Sequence, residues 1–255
     1  MKLIVNGLLT QYSDEGGPQA PPILLLHGWG VSSSNFNELA SQLALHYRVI
    51  RLDLPGFGST DRPPQTWGVA DYANFVKLFL EKIRVDNLRA VLGHSFGGRV
   101  IIKGLAHMLL PAESAILLDS AGLRPRATPR AQGIKLLAKT GRVVLSLPGL
   151  NTFAPAFKRR LYQSAGSEDY LDAGALRQIF LKVIAEDLSS DASLVTVPVL
   201  LIWGALDTDT PPSDGQALAK LIPDSRLEII PSAGHFVHTD APGKVCELIR
   251  EFLNQ

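Results

Sequence analysis

Residues Gly93-His94-Ser95-Phe96-Gly97-Gly98 set a serine hydroxyl among small residues, directly behind the apolar run Arg89-Ala90-Val91-Leu92. A serine hydroxyl is a poor nucleophile at neutral pH unless a neighbouring base accepts its proton. Glycines two before and two after it let the chain turn sharply and hold the hydroxyl out from the end of a strand. A helix starting at Phe96 would bring its positive end under that hydroxyl. The same residues also fit an ordinary tight turn, so the rest of the chain must supply or withhold the partners.

The chain holds six histidines. His46 and His107 fall on predicted helices and read as surface or boundary residues. His27 precedes a glycine at a strand end and is expected to brace its loop. His94, inside the serine turn, is expected to pack there and, with Gly28 and Trp29, to border the substrate. His238 lies three residues past His235. His235 follows Ala233-Gly234 just after the last predicted strand, where a loop can fold back over Ser95, and is the expected base. A carboxylate should fix its tautomer and stabilise the imidazolium. Asp207 stands nearest the end of the preceding strand, Asp209 is the reserve, and Asp119, after an earlier strand, is a third possibility. The order Ser95, Asp207, His235 suits a strand–turn–helix nucleophile. A developing oxyanion needs only backbone donors, and the N–H groups of Phe96 and Trp29, the latter in His27-Gly28-Trp29-Gly30, are the candidates.

These residues must be positioned by the elements between them. Short apolar runs at residues 23–26, 48–52, 89–92, 114–118, 197–203 and 226–230 predict strands. Amphipathic spacing predicts helices over 36–46, 69–84, 96–109, about 214–221 and 242–253. Continuous apolar strands alternating with helices imply an α/β fold, a mostly parallel sheet with helices on both faces. Residues 2–12 could add an antiparallel hairpin at one edge. Ligands bind such sheets at the carboxyl ends of the strands, where His27, Asp53, Ser95, Asp119, Asp207 and His235 all fall. Residues 124–191 interrupt the alternation and read as a mainly helical cap inserted into a core of residues 1–123 and 192–255. The cap is basic, with no Asp or Glu from Arg124 to Ser167, and apolar residues such as Leu136, Leu137, Val143 and Val144 are interleaved.

The bulk composition agrees with a single α/β unit carrying an insertion: 255 residues, 46% apolar and 19% charged. A net charge of +1 gives no field for nucleic acid. The single cysteine, Cys246, excludes an internal disulfide and a cysteine metal cluster and reads as a buried thiol. Neither metal-ligand spacing nor a dinucleotide or phosphate-loop fingerprint is present, so no metal or organic cofactor is expected. The start of the chain is too short in apolar residues for a signal peptide and no stretch reaches a membrane span, so a cytoplasmic location is expected.

On these motifs the chain resembles the α/β-hydrolase superfamily from about residue 23 to 253, the cap apart. His27-Gly28 resembles its oxyanion loop, and Asp53-Leu54-Pro55-Gly56-Phe57-Gly58-Ser59 the loop after its next strand. Gly93-His94-Ser95-Phe96-Gly97 resembles its nucleophile elbow. Trp203-Gly204-Ala205-Leu206-Asp207, with Pro211 four further on, resembles its acid loop, and Gly234-His235-Phe236 its histidine loop. Ser95 stands where haloalkane dehalogenases and epoxide hydrolases carry aspartate. His27-Gly28-Trp29-Gly30 is more similar to the small carboxylesterases than to the triple-glycine lipases. The resemblance implies a serine hydrolase acting through an acyl-enzyme on a small acyl substrate: a carboxylic ester, thioester or lactone. Carbon–carbon bond hydrolases, perhydrolases and lyases share the triad, and a small-molecule receptor could keep the fold without turnover. The basic cap offers contact with an anionic membrane surface or an acidic substrate, set against a plain solvated face.

Overall fold

The computed structural model describes residues 1–124 and 174–254. Among them, eight strands form one sheet: β1 Lys2–Val5, β2 Leu8–Glu15, β3 Pro22–Leu26, β4 Arg48–Leu52, β5 Ala90–His94, β6 Ala115–Leu118, β7 Val199–Gly204 and β8 Ser225–Ile230. Their order is β1-β2-β4-β3-β5-β6-β7-β8. The pairs β1·β2 and β2·β4 are antiparallel, and every pair from β4·β3 to β7·β8 is parallel. From β3 the chain steps outward to β4, then crosses back to β5 on the other side of β3. Strands β3 and β5 therefore flank the switch point where such sheets open a crevice at their carboxyl ends.

The hairpin expected at residues 2–12 is present, turning through Asn6 and Gly7 at φ 48° and 80°, the geometry of a type I′ turn. Strand β2 runs on to Glu15, beyond the expected end. Its last residues are polar, and the apolar pattern could not extend that far. They are held instead by pairing with β4, by Asp14 on Arg48 at 2.7 Å and by Glu15 on Arg51.

Successive residues of the central strands point to opposite faces, and each face has its own core. Leu24, Leu26, Val91, Leu117, Leu201 and Trp203 pack on one side with α2 Val69–Lys82, α3 Phe96–Ala106 and α6 Pro212–Leu221. Ile23, Leu25, Leu92, Ile116, Leu200 and Ile202 pack on the other with α1 Asn37–Leu43 and α8 Pro242–Leu253. The helix expected at 36–46 is shorter: a 3₁₀ turn, Ser33–Phe36, occupies the serine-rich start, and α1 ends at Leu43. Cys246 is buried on α8.

The insertion leaves the sheet after β6 and returns at β7. The basic stretch sought in the cap lies outside the described residues apart from Arg124. The described end of the insertion is helical: a 3₁₀ turn Gly174–Leu176, α4 Arg177–Ala185 and α5 Ser189–Ala192. Ile179 and Val183 bury one stripe of α4. Arg99, itself buried on α3, donates through Nη1 to the carbonyls of Val183 at 3.1 Å and Glu186 at 2.8 Å. That cation satisfies the end of α4 and opposes its negative dipole. At four-residue spacing beyond Arg99, Lys103 of α3 meets Glu186 at 3.0 Å and Asp191 at 2.8 Å, and His107, just past the end of α3, meets Asp191 at 2.8 Å.

Magnitudes rank these ties. Two buried aliphatic side chains contribute roughly 1.5–3 kcal/mol each, whereas a contact from a half-exposed ring such as His107 contributes about 0–1 kcal/mol. Arg99→Ala should lower unfolding free energy by about 2–4 kcal/mol, because the buried Val183 carbonyl and the half-buried Glu186 carbonyl lose their donor. His107→Ala should cost less than about 1 kcal/mol, since its ring is 52% exposed. Urea denaturation of both variants checks this; equal costs would contradict the ranking.

Candidate active site

The turn from β5 into α3 is built around Ser95, which sits at φ 48°, ψ −108°. A non-glycine residue there is strained and persists only where its surroundings hold it. Four backbone bonds do so: Ser95 N–H donates to the Leu118 carbonyl, and the Ser95 carbonyl accepts from Gly98, Arg99 and Ala121. The neighbouring glycines answer to space. A Cβ on Gly97 would overlap the Leu26 carbonyl, and one on Gly93 would fall 2.6 Å from the Gly97 carbonyl carbon. The turn therefore packs backbone against backbone at the end of β3.

The loop after β3 passes beside Ser95, since a Cβ on Gly28 would lie 3.4 Å from the Ser95 Cβ. His27 braces it. Buried Nδ1–H donates to the Gly28 carbonyl at 2.7 Å, and Nε2 accepts from Leu54 N–H at 2.9 Å. Burial pushes its pKa down to about 4, so the ring is neutral. Asp53, at the end of β4, accepts from Ser33 and Ser59 N–H, both at 2.9 Å, tying the two loops together. Among the described residues, the N–H groups of Trp29 and Phe96 donate to no protein acceptor. The Trp29 ring meets Phe57 at 4.8 Å, Phe96 at 5.4 Å and Phe180 of α4 at 5.0 Å between centroids. Phe180 was not anticipated from sequence, since only the fold brings α4 to this loop.

After β7, the buried Asp207 carboxylate accepts from the N–H groups of Asp209 at 2.8 Å and Thr210 at 3.0 Å through Oδ1. Its Oδ2 accepts from His235 Nδ1–H at 2.9 Å, with the Thr210 hydroxyl 2.7 Å away. With its proton on Nδ1, the His235 ring presents Nε2 as a bare base. Burial alone would lower the pKa of His235, but the bond and charge of Asp207, with Asp209 and Asp119 beyond, raise it above 6.5. Asp209 is exposed: it lends its N–H to Asp207, and its charge acts on His235 from farther out. Thr210 was missed. Its signal is local: an aspartate accepting from the residues two and three ahead is a side-chain turn that the sequence Asp-Thr-Asp-Thr allows.

Asp119 does not hold the ring. It is fully buried at φ 43°. Its two oxygens accept from Gly204 N–H at 2.8 Å and Val237 N–H at 2.9 Å, on either side of the histidine loop. Burial pushes its carboxyl up to about 7 against those two bonds.

His94 departs from the expectation that it borders the substrate. It is 1% exposed, enclosed by the rings of His235, Phe236 and His238 at 4.8–5.0 Å. Its Nε2 lies 2.7 Å from the His235 carbonyl. His238 is buried too, with Nε2 2.6 Å from Asn35 Oδ1. The exposed His46 and His107 lie away from this group. Among the described residues, no group of three or more His, Cys, Asp or Glu is arranged to hold a metal ion, and no helix is long and apolar enough to cross a membrane.

Known proteins share this architecture. A family model described as "Alpha/beta hydrolase family" matches residues 23–248. Lipase 1 of Psychrobacter immobilis is 24% identical across 98% of this chain and 82% of its own length. Among solved structures, a bacterial membrane phospholipase A superposes with a TM-score of 0.79 at 24% identity, covering 100% of this chain and 85% of that one. The enol-lactonase of Burkholderia xenovorans LB400 does so with a TM-score of 0.77 at 21% identity, covering both chains fully.

The imidazoles should separate in a proton NMR titration. His235 should titrate above 6.5, His27 and His238 near 4, and His94 well below 6.5. Asp207→Asn removes the acceptor charge that raises His235, so its midpoint should fall. An unchanged midpoint would show that Asp207 does not govern this ring.

Proposed function

The chain belongs to the alpha/beta hydrolase family, and from that premise we propose that it is a serine hydrolase cleaving a carboxylic ester, thioester or lactone through an acyl-enzyme on Ser95. The observation that carries this reading is the His235 Nδ1–H···Asp207 bond at 2.9 Å, beside a serine at φ 48° on the same sheet edge. The family's chemistry is hydrolytic, and the lipase, phospholipase A and lactonase named above are enzymes of acyl–oxygen bonds.

In this reading, His235 Nε2 takes the Ser95 proton as Oγ attacks the acyl carbon. Asp207 orients the ring and stabilises the imidazolium. The free N–H groups of Trp29 and Phe96 receive the oxyanion. The imidazolium then protonates the leaving alcohol, thiol or lactone oxygen. His235, neutral again, activates the water that frees Ser95 and the acid. The division into a core, residues 1–123 and 192–255, and a cap, residues 124–191, belongs to the same proposal, with a small acyl substrate between them.

The aromatic group on one side of Ser95 supports a further assignment. Trp29 and Phe180 are partly exposed, and their rings meet where α4 reaches the loop after β3. Helix α4 is held by buried side chains and by Arg99, so Phe180 is a fixed wall, suited to limiting the acyl chain.

Ser95→Ala should reduce turnover of a short-chain aryl ester by at least about 10³-fold and abolish labelling by a fluorophosphonate; full retained turnover would refute the assignment. Neutral His235 is the active base, so kcat/KM should fall as pH drops through the raised His235 pKa, with an acid limb above 6.5. Phe180→Ala should shift the ratio of kcat/KM for octanoyl over acetyl esters upward by about 10-fold. No change across the acyl series would remove Phe180 from specificity.

A further inference from the structure

His94 ties the serine turn to the histidine loop. It stands one position before Ser95, at the end of β5. Its Nε2 is 2.7 Å from the carbonyl oxygen of His235. A carbonyl only accepts, so Nε2 carries the proton and Nδ1 is a bare lone pair. That Nδ1 is buried without a hydrogen-bond partner and points against the loop after β3, since a Cβ on Gly28 would come within 2.6 Å of it.

An unpaired buried nitrogen carries a desolvation cost that a leucine or phenylalanine in the same space would avoid. Packing alone therefore gives no reason for an imidazole here. What the imidazole supplies is one hydrogen bond, and that bond ends on the backbone of the expected base. The titratable groups packed round it are His27 from the loop after β3, and His235 and His238 from the segment after β8. The carboxylates of Asp207, Asp209 and Asp119 act on His235 beyond. Burial, then His238 and His235, hold His94 well below 6.5, so it stays a neutral donor while His235 changes charge.

We propose that His94 is a positioning residue: its Nε2–H holds the His235 carbonyl and so sets the His235 ring against Ser95. The inference rests on Ser95 and His235 being nucleophile and base. The tie is short and direct, since Ser95 is fixed by its backbone bonds and His94 adjoins it. Movement of the His235 backbone relative to Ser95 must stretch this bond. Misplacement by about 1 Å is enough to cost about 10²-fold in rate.

Two variants test it. Glutamine can place an amide N–H where Nε2 stands, and leucine cannot donate. His94→Leu should lower kcat on a short-chain aryl ester by about 10²-fold with KM little changed, a thermal midpoint unchanged or raised, and an acid limb shifted toward 6.5 as the ring loosens from Asp207. His94→Gln should recover most of kcat and the limb. A purely structural role would move thermal midpoint and kcat down together and give glutamine no advantage. Wild-type kcat and limb in the leucine variant would overturn the proposal, as would equal losses in both variants. If the leucine variant does not fold, the glutamine variant decides: near-wild-type kcat supports the role, and a loss of about 10²-fold in the glutamine variant ends it. Fluorophosphonate labelling of Ser95 in wild type separates the two layers, since its absence would overturn the nucleophile itself and not the donor.

Discussion

The site depends on how closely the turn after β5 crosses the end of β3. Gly97 lies so near the Leu26 carbonyl that a methyl group would overlap it, and Gly93 packs on the first turn of α3. This contact leaves the residue between them little freedom. Ser95 takes φ 48° because the strand before it and the helix behind it are both already placed, and four backbone bonds keep it there. Such strain costs about 1–3 kcal/mol, less than the burial of the parallel strands on either side contributes. The core thus imposes the turn, and the turn brings the loops after β3 and β5 into contact.

Electrostatics then distinguish imidazoles that sequence alone leaves alike. His27, His94 and His238 are buried without a carboxylate partner, and burial favours their neutral forms. Each serves as a structural donor: His27 to Gly28, His94 to His235 and His238 to Asn35. His235 is also largely buried, but Asp207 reverses the direction. One aspartate, with both oxygens engaged, marks one ring of four as the imidazole whose pKa is raised. Asp119 works on the backbone instead, joining the end of β7 to the start of the short helix α7 Val237–Asp240.

Much of this was legible in the sequence because it is local or periodic. The continuous apolar strands, the glycines beside Ser95 and the positions of Asp207 and His235 after their strands needed only short windows. The end of β2 was not legible, since its polar residues are held by ion pairs to β4 whose partners lie more than thirty residues away. The brief helix after His235 carried too few residues to show a period. The roles of His94 and Asp119 were hidden for a different reason. Each depends on which backbone group a buried side chain meets, and pairings 85 to 141 residues apart follow from sheet order alone. Phe180 belongs with them, because its ring gains meaning only once Arg99 has fixed the end of α4.

Those long-range pairings share a direction. Arg99 stands four residues after Ser95 on α3, and His94 one residue before it. The first secures α4 of the insertion to α3, and the second secures the loop after β8 to the end of β5. Ser95 is thus the common reference for the wall that meets Trp29 and for the base that would take its proton. In the proposed reaction, an acyl group against Phe180 and Trp29 would lie in the frame that positions His235. Binding and proton transfer would then be registered to one turn.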